Sequence, residues 1–98
     1  MVTLTNKQRA YLKSLATDLE PIVQIGKSGL TPEVTATVGE TFNRRELIKI
    51  TVLKNCLEDP RAVAEMLAGR TKSTVVHVMG KKIVLYKENR DHKKIELP

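Results

Sequence analysis

The sequence predicts an α/β domain with the element order αβαβαββ: a four-stranded mixed sheet with helices packed on it. Three observations lead there. Two short β-branched runs are each followed by a proline-led helix start, at Thr31-Pro32 and Asp59-Pro60. Apolar residues switch between helical spacing and strand-like runs along the chain. Two β-rich runs then flank Gly80-Lys81, which reads as a tight hairpin.

The first helix is predicted over residues 6–19. Thr5 followed by Gln8 forms a capping box, and Leu12, Leu15, Ala16 and Leu19 recur at helical spacing until Pro21 interrupts them. Its other face carries Lys7, Arg9, Lys13 and Ser14. Residues 21–25 are short, apolar and β-branched and stop at Gly26, so they read as a buried strand. A second helix is predicted over 32–43, with Thr31 as cap, Pro32 at its first position and Val34, Val38 and Phe42 on one stripe. Gly39 inside it costs about 1 kcal/mol relative to alanine, so packing must hold that helix.

A strand follows over 47–53, then a helix over 60–68 with Asp59 as cap, Val63, Met66 and Leu67 as its apolar stripe and Gly69 as its left-handed terminator. Strands over 74–79 and 82–87 close the pattern, and the charged tail 88–98 is expected to be partly mobile. The first two strands, joined through a helix, should pair in parallel by a right-handed crossover, while the hairpin adds antiparallel strands. The whole of residues 1–98 reads as a single domain with one modest core.

Composition narrows the function classes. Apolar residues are 41% and charged residues 29% of the chain, the balance of a folded soluble protein. The apolar runs are far shorter than the roughly 18 residues a bilayer requires, and Met1 to Arg9 lacks a signal-peptide core, so a cytoplasmic protein without a membrane partner is expected. Cys56 is the only cysteine, which excludes an internal disulfide and a cysteine-based metal cluster. Seventeen basic against eleven acidic residues give a net charge of +6. The sequence pI of 9.7 lies in the range that suggests a polyanionic partner.

Gly26-Lys27-Ser28 invites comparison with the end of an ATP-binding loop, and the comparison fails. The required first glycine is replaced by Pro21, Pro32 delays the helix that should begin at the lysine, and no strand ends in a magnesium-binding aspartate. Gly26-Lys27-Ser28-Gly29 can instead cradle an anion. Two glycines allow positive φ and close approach of N–H groups, the following helix start adds partial positive charge, and Lys27 adds a full one. A Gly-x-x-Gly by itself is weak, since about one chain in two of this length holds one by chance. The same residues also serve as a plain strand-to-helix turn, and the basic net charge favours the anion reading.

Ile25-Gly26-Lys27-Ser28-Gly29-Leu30-Thr31, Arg45-Glu46-Leu47-Ile48-Lys49-Ile50 and Gly80-Lys81-Lys82-Ile83-Val84-Leu85-Tyr86 together resemble the three signatures of the CRM domain family. Leu4 to Gln8 and Tyr11 to Ala16 are similar to that family's first helix. The resemblance spans about residues 3 to 87 and is nearest to the stand-alone bacterial YhbY-like (YqeI-like) proteins. It implies an RNA-binding module similar in fold to the C-terminal domain of a translation initiation factor. It also implies association with precursors of the large ribosomal subunit and an RNA-contacting loop at Gly26, Lys27, Ser28 and Gly29. The one departure is Arg45, where the family often has histidine; the charge is kept and the imidazole is not.

Tyr11, Phe42 and Tyr86 are the only aromatic residues, too few for a stacking platform. RNA recognition would then rest on phosphates, sugar hydroxyls and shape, using Lys27 with Arg44, Arg45, Lys49 and the Lys7, Arg9 and Lys13 face of helix one. Ribosomal RNA or a pre-ribosomal particle is the expected partner, and a monomer without cofactor, metal or small-molecule substrate is expected. Two rivals stand beside this reading: a protein-docking module of a ribosome-associated complex, and an enzyme. For the latter His77 and Cys56 are the only pair to name, and they lack any recognisable catalytic spacing.

Overall fold

The computed structural model describes residues 3–89, 91 and 95–98. The elements are α1 (Asn6–Ala16), β1 (Val23–Ile25), α2 (Pro32–Thr41), β2 (Leu47–Val52), α3 (Pro60–Thr71), β3 (Thr74–Met79) and β4 (Lys82–Tyr86). This is the predicted αβαβαββ order. The sheet runs β1-β2-β4-β3. β1 lies parallel to β2, with Val23 opposite Ile50, while β4 is antiparallel to both β2 and β3.

The last strand therefore sits inside the sheet. Its sequence explains why: Ile83, Val84, Leu85 and Tyr86 are all buried, and a strand apolar on both faces belongs where both faces are covered. β2, with Leu47, Ile48, Ile50 and Val52 buried, is the other central strand. On one face α2 and α3 enclose a core of Val38, Phe42, Val63 and Leu67 against Ile25, Ile48, Ile50, Ile83 and Leu85. On the other, α1 covers Leu47, Val76, Val84 and Tyr86 with Leu4, Leu12 and Ala16. Among the described residues no helix is long and apolar enough to cross a membrane.

Six boundaries differ from expectation, β2 ending at Val52 and β4 at Tyr86, each one residue early. α1 stops at Ala16 instead of residue 19, because the Leu19 N–H turns back to the Ala16 carbonyl at 3.0 Å and Leu19 folds down beside the α1-side core. β1 begins at Val23, since Pro21 has no N–H to offer the ladder; pairing reaches only to Ile22, whose N–H meets the Lys49 carbonyl at 2.9 Å. α2 ends at Thr41, with Phe42 as its cap. α3 continues through Gly69 to Thr71, and the left-handed terminator is Lys72, at φ 59. The buried Leu67, Ala68 and Thr71 hold that last turn in place, and the Ser73 N–H closes it onto the Ala68 carbonyl at 2.9 Å.

The described residues of the tail make contacts with the fold. The buried Glu46 carboxylate accepts the Asn89 N–H at 3.0 Å and the Ile95 N–H at 2.8 Å. Asn89 Nδ2 donates to the Phe42 and Asn43 carbonyls, each at 3.1 Å, and Ile95 and Leu97 pack on the α1-side core. The expectation for Arg90, His92, Lys93 and Lys94 falls outside the described residues.

Candidate nucleic-acid interface

β1 runs directly into the glycine loop. The Gly29 N–H donates to the Gly26 carbonyl at 2.9 Å, closing a four-residue turn with Lys27 and Ser28 exposed at its tip. Gly29 has φ 68, a left-handed conformation that glycine adopts without steric cost. The Glu58 carboxylate lies against Gly29 and accepts the Leu30 N–H at 3.1 Å. Among the described residues, no intrachain acceptor engages the N–H groups of Lys27 and Ser28.

The electrostatics of the turn differ from the sequence expectation. α2 does begin at Pro32, and Thr31 Oγ1 caps it by accepting the Val34 N–H at 3.2 Å. Glu33 stands in its first turn and Glu58 on the loop backbone, so two carboxylates offset the partial positive charge of the helix start. Attraction for an anion then falls to Lys27 and the tip N–H groups.

Three further lysines stand at this end of the sheet. The Leu53 N–H donates to the Ile25 carbonyl at 2.8 Å, and Asn55 and Leu53 flank Gly26, which brings the turn bearing the exposed Lys54 beside the loop. The Val52 N–H donates to the Lys81 carbonyl at 2.7 Å, which brings in the β3–β4 turn with Lys81 and Lys82. The sequence reading did not name these lysines as site residues. The signal was the Gly80-Lys81-Lys82 turn, once β4 is paired antiparallel with β2. Leu57, 96% exposed, and Met79, 64% exposed, put apolar surface near the same end.

The other predicted site residues are distributed over the molecule. Arg44 and Arg45 precede β2 and so lie at its far end, roughly 17 Å from the loop end by strand rise, where they line a groove with Ile22, Thr37 and Thr41. Lys49 is half-buried in mid-β2 and its Nζ donates to the Ala16 carbonyl at 3.4 Å, close to Lys13 of α1. Lys7 is exposed on α1. Arg9 is committed within the fold: its guanidinium donates to the Val75 carbonyl at 2.7 Å and the Val76 carbonyl at 2.6 Å. Those carbonyls lie at a bulge in β3, where the register slips between Val75 and His77 and turns both Val76 and His77 toward α1.

His77 therefore faces the α1 side, whereas Cys56 is buried in the core on the α2 and α3 side, so the two are not brought together. Burial first, then the charges of Lys13, Arg61 and Arg9, push the His77 imidazole below its ordinary value near 6.5. The fold thus favours its neutral form.

Comparison with known proteins agrees with this fold. The family described as CRS1 / YhbY (CRM) domain matches residues 4–87. The chain is 46% identical over 95 residues to "Probable RNA-binding protein YqeI" of Bacillus subtilis (strain 168), covering 97% of this chain and 99% of the relative. It is 37% identical over 98 residues to "RNA-binding protein" of Haemophilus influenzae, covering 100% and 98%. The solution structure of the hypothetical protein SAV1595 from Staphylococcus aureus superposes with a TM-score of 0.83 at 45% identity, covering 98% of this chain and 100% of that one.

Proposed function

The chain belongs to the CRS1 / YhbY (CRM) domain family, and from that premise we propose that it binds structured RNA, with the Gly26–Gly29 turn gripping the phosphate backbone. The observation that carries this reading is the convergence at one end of the sheet: Lys27 at the tip of a glycine turn, with Lys54, Lys81 and Lys82 brought beside it by the β-ladder. The tip N–H groups of Lys27 and Ser28 supply short-range donors for phosphate oxygens, and the ammonium groups supply the longer-range attraction. With no stacking platform, contact to bases is left to exposed apolar side chains such as Leu57 and Met79.

The partner we propose is ribosomal RNA in a precursor of the large subunit, with a role in its assembly in the cytoplasm, the protein acting as a monomer. This rests on the family resemblance together with the basic surface. Neutralising about four to six phosphates gives a log–log dependence of affinity on salt with a slope between roughly −3 and −5. Lys27→Ala is expected to weaken RNA binding and leave the melting temperature within a degree or two, because the side chain is exposed. Equal RNA affinity for the variant and its parent across a salt titration would remove the loop from the site.

The almost fully exposed Leu57 beside the loop favours a second reading, a module that docks on a protein of a ribosome-associated complex. Association that survives nuclease treatment of an extract and is lost in Leu57→Ser supports it; association lost with the nuclease supports direct RNA contact.

A further inference from the structure

α1 covers only part of its face of the sheet, and what it leaves open is basic. The register gives two cross-strand rows there. One is Lys49, Val84 and His77; the next is Thr51, Lys82 and Met79. With Lys13, Ala16 and Thr17 from the end of α1, all of these but Thr51 bound a groove of about 330 Å³ that no acidic side chain lines. That volume is near the lower end of small-ligand sites, about 300 to 1,000 Å³.

Two features show that the groove is arranged and not merely left over. Lys49 and Lys82 are diagonal neighbours on adjacent strands, and like charges so placed repel unless an anion lies between them. Each is also held by a bond that engages one of its protons: Lys49 Nζ on the Ala16 carbonyl at 3.4 Å, and Lys82 Nζ on Thr51 Oγ1 at 3.0 Å. Each ammonium has two further protons to offer. Met79, 64% exposed, and the Val84 floor supply the apolar surface that a base needs.

We propose that this groove is a second RNA subsite that takes one nucleotide of a single strand leaving the glycine loop, its phosphate held by Lys13, Lys49 and Lys82 and its base laid over Met79 and Val84. The proposal rests on the RNA-binding reading above. Lys82 stands at the junction: it opens β4 beside the loop end and also lines the groove, so one strand can follow both sites.

The test is fluorescence anisotropy with a labelled single-stranded RNA of about a dozen nucleotides over a salt series, using the full chain, Lys49→Gln/Lys82→Gln, Lys82→Gln, Met79→Ser, Lys27→Ala and, as a charge control, Arg70→Gln on the distant exposed end of α3. Losing that one phosphate contact in the double variant should flatten the salt slope by about 0.7, which is roughly a 5-fold loss of affinity at 0.1 M if the difference vanishes at 1 M. Met79→Ser should lose affinity severalfold with the slope unchanged. Melting curves check folding, and Lys82→Gln and Met79→Ser touch only exposed side chains, so they decide the matter if the double variant is unstable. Groove variants that bind like Arg70→Gln while Lys27→Ala weakens binding overturn the groove and leave the RNA reading intact. A parent chain with no measurable affinity for this single strand overturns the groove, and one that also fails to bind a labelled RNA hairpin overturns both.

Discussion

Gly29→Ala offers the sharpest test of how the loop is built. Gly29 sits at φ 68, where a side chain costs about 1–2 kcal/mol. An added Cβ would also overlap the Glu58 carboxylate, which must swing away and release its hydrogen bond to the Leu30 N–H, a loss of about 0.5–1.5 kcal/mol. The sum is about 2–3 kcal/mol, or roughly 10–20 °C in melting temperature for a domain of this size. Gly80→Ala is the internal control: φ is 57 but nothing lies within 4 Å of the new Cβ, so only the backbone strain of about 1–2 kcal/mol remains. Gly26→Ala should be close to neutral, since its φ is not positive and its nearest neighbour, Asn55 Oδ1 at 3.3 Å, can yield. Urea unfolding of the three variants, with Glu58→Ala in a double-mutant cycle, reads these terms separately. Because the Glu58 bond can be lost only once, Gly29→Ala/Glu58→Ala should be less destabilised than the two single losses together. Gly29→Ala no more destabilising than Gly80→Ala, or a strictly additive cycle, refutes the reasoning.

The remaining predictions concern charge and anchoring. Glu58→Gln keeps an acceptor for the Leu30 N–H and removes a negative charge from the loop, so it should tighten RNA binding severalfold at low salt and not at high salt; weaker binding by anisotropy would show that the carboxylate assists the site. Arg9→Ala should destabilise the fold by about 2 kcal/mol and Arg9→Lys should restore only part of it, because one planar guanidinium serves two carbonyls; equal urea midpoints for Arg9→Lys and the parent would contradict this. His77 is held below its ordinary value by burial and by Lys13, Arg61 and Arg9, with Glu65, Lys49 and Lys82 also around it, so the fold favours its neutral form. The stability this represents is present above about pH 6.5 and is lost as pH falls through the lower folded value. The melting temperature should therefore drop more between pH 7.5 and 5.5 in the parent than in His77→Asn, and parallel profiles would count against it.

The topology was legible because each element carries its own local signal: the Thr5–Gln8 box, the caps at Thr31 and Asp59 with proline following, and the unbroken apolar run of β4. What stayed hidden depends on partners distant in sequence. Arg9 looks like any exposed helix base until the β3 bulge supplies two carbonyls more than sixty residues away. Glu46 reads as a polar strand start, yet it is buried and is met by N–H groups of the tail. Gly69 fits a helix terminator by type, but packing of Thr71 carries the helix past it. For the site, Lys27 was readable from its loop, whereas Lys54, Lys81 and Lys82 join it only through strand pairing, and Arg44 and Arg45 stand at the opposite end of β2.

The Arg9 clamp also bears on how copies of the protein behave toward each other. An open sheet has two rims, and each is a template onto which another chain can add a strand. On the β1 side the rim is only Val23–Ile25 long, with Pro21 just before it. On the β3 side the bulge breaks the regular repeat of donors and acceptors, and the guanidinium occupies the Val75 and Val76 carbonyls that an incoming strand would need. A side chain that steadies one molecule thus withdraws the polymerisation edge from the next. Loss of Arg9 should appear as concentration-dependent aggregation before it appears as loss of fold.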